Sequence, residues 1–151
     1  MAHQRRGRIS LQGVIGQGRG RKLRSKIHQK YGGRCAYCGA EITIKQMQVD
    51  HIIPKRHYSE EYGCLIVGCT KFTEYGLNDI RNLNPACRPC NNRKAAFTLE
   101  EFRDEISEQV RRLRRDSGQF RIAERFGQIV STETPVVFWF EIGKITRTRG
   151  V

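Results

Sequence analysis

Nowhere does this chain of 151 residues approach 18 consecutive apolar positions, so no membrane-spanning helix is expected. Its basic N-terminus, MAHQRRGRIS, lacks the apolar stretch that would follow in a secretory leader, and a soluble, cytoplasmic protein is the expectation. Only 38% of the residues are hydrophobic, which limits the core and suits one modest domain. Acid is missing altogether from positions 1–40, which hold ten Lys or Arg and no Asp or Glu. Positions 41–151 hold eighteen basic against fifteen acidic side chains, so most of the net +13 lies in the N-terminal stretch. Charge crowded in this way repels itself unless a polyanion neutralises it. Nucleic acid is the polyanion expected, with binding that weakens as salt rises. A solvated basic terminus with no partner is the alternative reading.

The chain divides into three stretches. Residues 1–24 hold five glycines and little periodicity, and read as a flexible basic arm. Arg19, Arg21 and Lys22 form its most basic point, suited to phosphate contact or to a narrow minor groove. Residues 25–97 form the core and 98–151 an extension. Leu23, Ile27 and Tyr31 predict a short helix over 23–31. Over 98–116, Leu99, Phe102, Ile106, Val110 and Leu113 form one apolar stripe. Thr98 and Glu101 there make a T-x-x-E capping box. The arginines at 111, 112, 114 and 115 read as a solvated face. A shorter helix is expected at 119–126, then a strand over PVVFWFEIGKI in which Phe138, Trp139 and Phe140 are core residues. Residues 57–80 carry no clear pattern beyond a short buried strand, LIV, at 65–67.

Four of the six cysteines form two Cys-x-x-Cys turns, Cys35/Cys38 and Cys87/Cys90, held apart by the whole of 39–86. Without a leader, metal binding is a better reading than disulfides. Zinc prefers four tetrahedral N or S ligands, and a closed set of four thiolates is structural rather than catalytic. Thioredoxin-like redox chemistry would use one such turn and leave the other unexplained. Cys64 and Cys69 allow a second site with His57, although buried free thiols are the simpler reading.

Asp50-His51-Ile52-Ile53-Pro54, then Asn82-Leu83, then Cys87-x-x-Cys90-Asn91-x-x-Lys94 resembles the HNH endonuclease family, over roughly residues 31–96. In overall form the chain is similar to small stand-alone HNH proteins of phages and prophages. The resemblance implies an α+β fold: a small zinc-stabilised ββα-metal core with flanking helices, to which the sequence adds a C-terminal strand. It implies a first strand ending near 49–53, a second beginning near Leu83 and a helix starting near Asn91. His51 then matches the general base that activates water. Asp50 and Asn91 match the ligands of a catalytic Mg2+ or Mn2+. Asn82 matches the residue that braces the loop and orients the histidine. One departure stands out: the long stretch 52–81 separates His51 from Asn82, and the paired glycines common in relatives are missing.

The chemistry is sound on its own terms. A histidine with a pKa near 6.5 serves as a base at neutral pH, and a cation held by hard oxygen donors stabilises charge on a phosphate. Adjacent strand residues point to opposite faces, so a twist or bulge near residue 50 is expected to bring Asp50 and His51 together. Arg56, Arg93 and Lys94 are candidate phosphate contacts. Bland readings stand beside these: a strand-end ion pair for Asp50 and His51, a turn for Asn82, a helix cap for Asn91 or Asn92. The expected function is a metal-dependent DNA endonuclease that, as the resemblance implies, leaves 5′-phosphate and 3′-hydroxyl ends; a monomer nicks, and cutting both strands takes a dimer or two events, with a homodimer or a phage protein as the expected partner. The alternative is a non-catalytic, zinc-stabilised DNA-binding module.

Overall fold

The computed structural model describes residues 17–67, 71–132 and 134–142. Its first element, α1 (Gln17–Gln29), takes in the segment expected to belong to a flexible arm. Burial explains the difference. Ile27 is buried, Leu23 packs against the core, and Arg24 donates to the carbonyls of Ile44 and Met47. Residues 1–16 lie outside the described residues.

Two antiparallel strands form the centre, β1 (Gln48–His51) and β5 (Leu83–Ala86), in the register Val49 to Pro85 and Asp50 to Asn84. Between them, β2 (Tyr58–Ser59), β3 (Cys64–Val67) and β4 (Lys71–Phe72) make a separate three-stranded sheet, with Leu65 of the expected LIV strand fully buried. Helix α2 (Arg88–Lys94) follows β5 at once and packs on β1. It starts earlier than the expected Asn91, with Cys87 at its N-cap, so neither Asn91 nor Asn92 caps it. The arrangement is α+β, as expected.

The expected 98–116 helix is two helices, α3 (Leu99–Ser107) and α4 (Gln109–Asp116). Its capping box is present in full: Thr98 Oγ accepts from Glu101 N, and Glu101 accepts from Thr98 N at 2.7 Å. The break falls at Glu108, after Ser107 turns its hydroxyl onto the Asp104 carbonyl. Each α4 arginine has an acidic neighbour: Glu108 for Arg111, Glu105 for Arg112, Glu124 for Arg114 and Asp116 for Arg115. Helix α5 (Gly118–Arg125) completes the set. None of the helices among the described residues is long and apolar enough to cross a membrane.

The C-terminal strand is corrected. Residues 134–138 belong to no strand, and 139–142 are helical. Trp139 N and Phe140 N bond to the carbonyls of Tyr37 and Ala36, inside the first cysteine turn. The apolar run is spent on packing instead. Phe138 stacks on Phe102 at 5.4 Å, and both rings meet Tyr37 edge-on. Trp139 is not core: partly exposed, it lies over Gly39, beneath the Arg34 guanidinium. Gly39 has φ +75°, and a Cβ there would sit 2.6 Å from the indole. Gly39→Ala is therefore expected to push Trp139 off the turn and cost about 1–3 kcal/mol, read as a lower urea midpoint and a red-shifted tryptophan emission.

Candidate active site and metal centre

The chain order that separates the cysteine turns is undone by the β1–β5 hairpin. Ala36 N donates to Pro85 O at 2.8 Å, which fastens the first turn to the strand leading into the second. The Sγ atoms of Cys35, Cys38, Cys87 and Cys90 then lie within 4.8 Å of one another, with Cys38 and Cys87 at 3.7 Å. A tetrahedral zinc–thiolate site has sulfurs about 3.8 Å apart, so the cluster is compatible with a structural zinc ion. Hydrogen bonding between Cys90 and Cys35 holds the Cys35 thiol well below the usual thiol range and pushes Cys90 up. Cys64 is half-buried on β3, and Cys69 lies outside the described residues.

Asp50, His51 and Asn91 all line one cavity of about 270 Å3, together with Lys55, Arg56 and the end of α2. No bulge brings Asp50 and His51 there. The β1–β5 register is regular; the strand ends on His51, and α2 packs against it. Asp50 is buried, 5% exposed, and its Oδ2 accepts from the Tyr37 hydroxyl and from Lys94 Nζ at 3.0 Å. Burial raises the Asp50 carboxyl pKa above its ordinary value, against the opposing effects of Lys94 and Tyr37. Tyr37 is raised too, by burial first and the neighbouring carboxylate second.

Asn82 is fully buried at the end of a 3-10 turn, Ile80–Asn82. Its Oδ1 accepts from Ile53 N at 2.8 Å, and its Nδ2 donates to Leu77 O at 2.9 Å and Ile53 O at 3.2 Å. It thus ties the chain just after His51 to the chain just before itself. His51 Nε2 lies 3.0 Å from Asn78 Oδ1.

The candidate phosphate contacts fare unequally. Lys94 is corrected: its side chain is 0% exposed and donates to His51 O at 2.7 Å as well as pairing with Asp50, so it cannot reach a phosphate. Arg56 pairs with Glu101, and Arg93 lies 3.3 Å from Glu105. Arg21 and Lys22 are exposed on α1, while the side chain of Arg19 is outside the described residues. Part of the basic N-terminal charge holds the fold together: Arg24 bonds to main-chain carbonyls, Lys30 to Leu83 O and Asn84 Oδ1, and Arg34 to Glu41.

Sequence reasoning missed Tyr37 and Asn78. Tyr37 sits inside Cys-x-x-Cys, where spacing speaks only for the cysteines. Asn78 lies in the stretch that carried no pattern.

No model of a known protein family matches the chain. Over 77 residues it is 27% identical to the "SPbeta prophage-derived putative HNH endonuclease YoqL" of Bacillus subtilis (strain 168), a match covering 51% of this chain and 30% of that protein. The chain thus spans less than a third of that relative's length. Among solved structures, the Type II-C Cas9 enzyme from Actinomyces naeslundii aligns with 76% of this chain and 11% of its own, at 22% identity and a TM-score of 0.42.

Proposed function

We propose that this chain is a metal-dependent endonuclease acting on DNA. The observation that carries the reading is the meeting of His51, Asp50 and Asn91 on the wall of one cavity, from two elements far apart in sequence. The partial similarity to a prophage HNH protein agrees with it. Asp50 and the Asn91 amide oxygen are hard donors of the kind Mg2+ takes. Among the described residues both hydrogen-bonded contacts of Asp50 fall on Oδ2, which leaves Oδ1 for a cation. When bound, such an ion supplies positive charge to the scissile phosphate and to the departing oxygen.

The protein's own groups do the rest. His51 takes the proton of the attacking water. Asn82, through Ile53, holds the backbone from which the imidazole projects. Lys94 fixes the Asp50 carboxylate and the His51 carbonyl at once. Lys55, on the cavity wall, and Arg21 and Lys22 on α1 supply positive charge for the DNA backbone. The Cys35–Cys38–Cys87–Cys90 cluster holds structural zinc, keeping the two ends of the site together.

His51→Ala is expected to lower the nicking of supercoiled plasmid in Mg2+ or Mn2+ by about a hundredfold or more, with zinc content and DNA retention unchanged. One observation favours the second reading, a DNA-binding module that does not cut: Lys94 already neutralises Asp50. DNA binding by the parent without nicking in either metal would decide for that reading.

A further inference from the structure

The stretch 52–81, between His51 and Asn82, departs from the HNH pattern, and besides Lys55 and Arg56 it sets a side chain against His51 itself. Asn78 Oδ1 stands 3.0 Å from His51 Nε2. A carboxamide oxygen only accepts hydrogen bonds, so with Oδ1 turned to the ring this contact takes the imidazole proton on Nε2 and leaves the lone pair on Nδ1.

Asn78 is exposed, yet the backbone around it is fastened on both sides. Leu77 O, just before it, accepts from the buried Asn82 amide. Asp79, just after it, donates from its N–H to Gly76 O at 3.2 Å and accepts from Arg81 N at 2.8 Å. The Arg81 guanidinium lies 4.6 Å over the Tyr75 ring. On the histidine side, Ile52 N donates to Asn82 O and Ile53 N to Asn82 Oδ1. A single buried amide thus sets the spacing of both partners.

We infer that Asn78 is a positioning residue for His51: it fixes the imidazole tautomer and so makes Nδ1 the nitrogen that receives the proton. The inference rests on the nuclease reading above. In the step concerned, the water oxygen bonds to phosphorus and its proton passes to Nδ1. The electron pair of the broken P–O bond leaves with the 3′ oxygen, which takes a proton from solvent. The imidazole becomes positive as this happens, and a charged donor strengthens the Nε2–H bond to Asn78. Asn78 therefore helps the transition state more than the resting enzyme, the kind of contact that raises kcat.

Two measurements on the full, zinc-loaded chain test this. The first is long-range 1H–15N correlation NMR without DNA, with the His51 ring assigned by comparison with His51→Ala. The parent and Asn78→Asp, which keeps an acceptor in place, are expected to show protonation at Nε2; Asn78→Ala is expected to show a mixture of tautomers. The second is plasmid nicking: Asn78→Ala is expected to lower kcat roughly five- to tenfold with KM within about twofold. Identical His51 spectra in the parent and Asn78→Ala would overturn the inference, as would an unchanged kcat. A parent that nicks in neither Mg2+ nor Mn2+ would instead overturn the nuclease reading, while the spectra still decide whether Asn78 sets the His51 tautomer.

Discussion

Stripping the proposed zinc ion from the four-cysteine cluster is expected to unfold the core, not merely to loosen one turn. The cluster joins the segment at 35–38 to the start of α2, and nearly everything central rests on that junction. Cys35, Ala36 and Ala86 are wholly buried around it. Tyr37 carries Phe102 and Phe138 on its ring, so α3 and the C-terminal segment are seated on the same turn. Structural zinc in small modules binds with on the order of 10 kcal/mol, comparable with the whole stability of a domain of this size. Cys90→Ser leaves three thiolates and an alcohol, and is expected to abolish cooperative unfolding at 25 °C. The chain reports its own state, because Trp139 is its only tryptophan and rests on Gly39 of that turn. Chelation should shift the emission to the red as zinc is released at one ion per chain, measured with a colorimetric dye. An unfolding curve that ignores the chelator would contradict the expectation.

Lys94→Met is expected to have the next largest effect. Methionine keeps most of the length and removes the charge, which leaves the Asp50 carboxylate buried with Tyr37 as its remaining hydrogen-bond donor among the described residues. Breaking a buried pair in this way costs about 3–5 kcal/mol, visible as a lower urea midpoint at pH 7.5. The pH dependence follows from the direction of the Asp50 shift. Its folded pKa is already raised by burial, and losing Lys94 raises it further. Its contribution to stability is then full below the unfolded carboxyl pKa and is lost as pH rises through the folded value. The gap between variant and parent should therefore narrow on acidification towards pH 4.5. Asp50→Asn combined with Lys94→Met should recover much of the loss at neutral pH, since the amide still accepts from Tyr37. A single variant within about 1 kcal/mol of the parent would contradict the argument.

Some of this architecture could be read from the residues directly. The cysteine turns were legible because ligand spacing is set by the metal, not by the rest of the fold. The Thr98–Glu101 box was legible because capping is local. The break at Glu108 was not, since the apolar stripe from Leu99 to Leu113 keeps its spacing across it. The run PVVFWF has the composition of a strand, but a ladder needs a free partner edge; its rings find the Tyr37 cluster instead. Lys94 was misread because lysine is almost never buried unless paired, and its pair lies far back in the chain at Asp50. His51 and Asp50 were placed by motif, yet what lets them share a cavity is the end of β1 against α2, a tertiary fact.

The Asn82 amide also closes a neck. It grips Ile53 on one side and Leu77 on the other, so the two ends of the long stretch between β1 and β5 are held at one point. Doubling the length of such an excursion adds only about 0.6 kcal/mol of closure entropy. Peptide added at the exposed turn 60–63, past Lys55 and Arg56, therefore costs little, while the β1–β5 ladder beneath keeps its register.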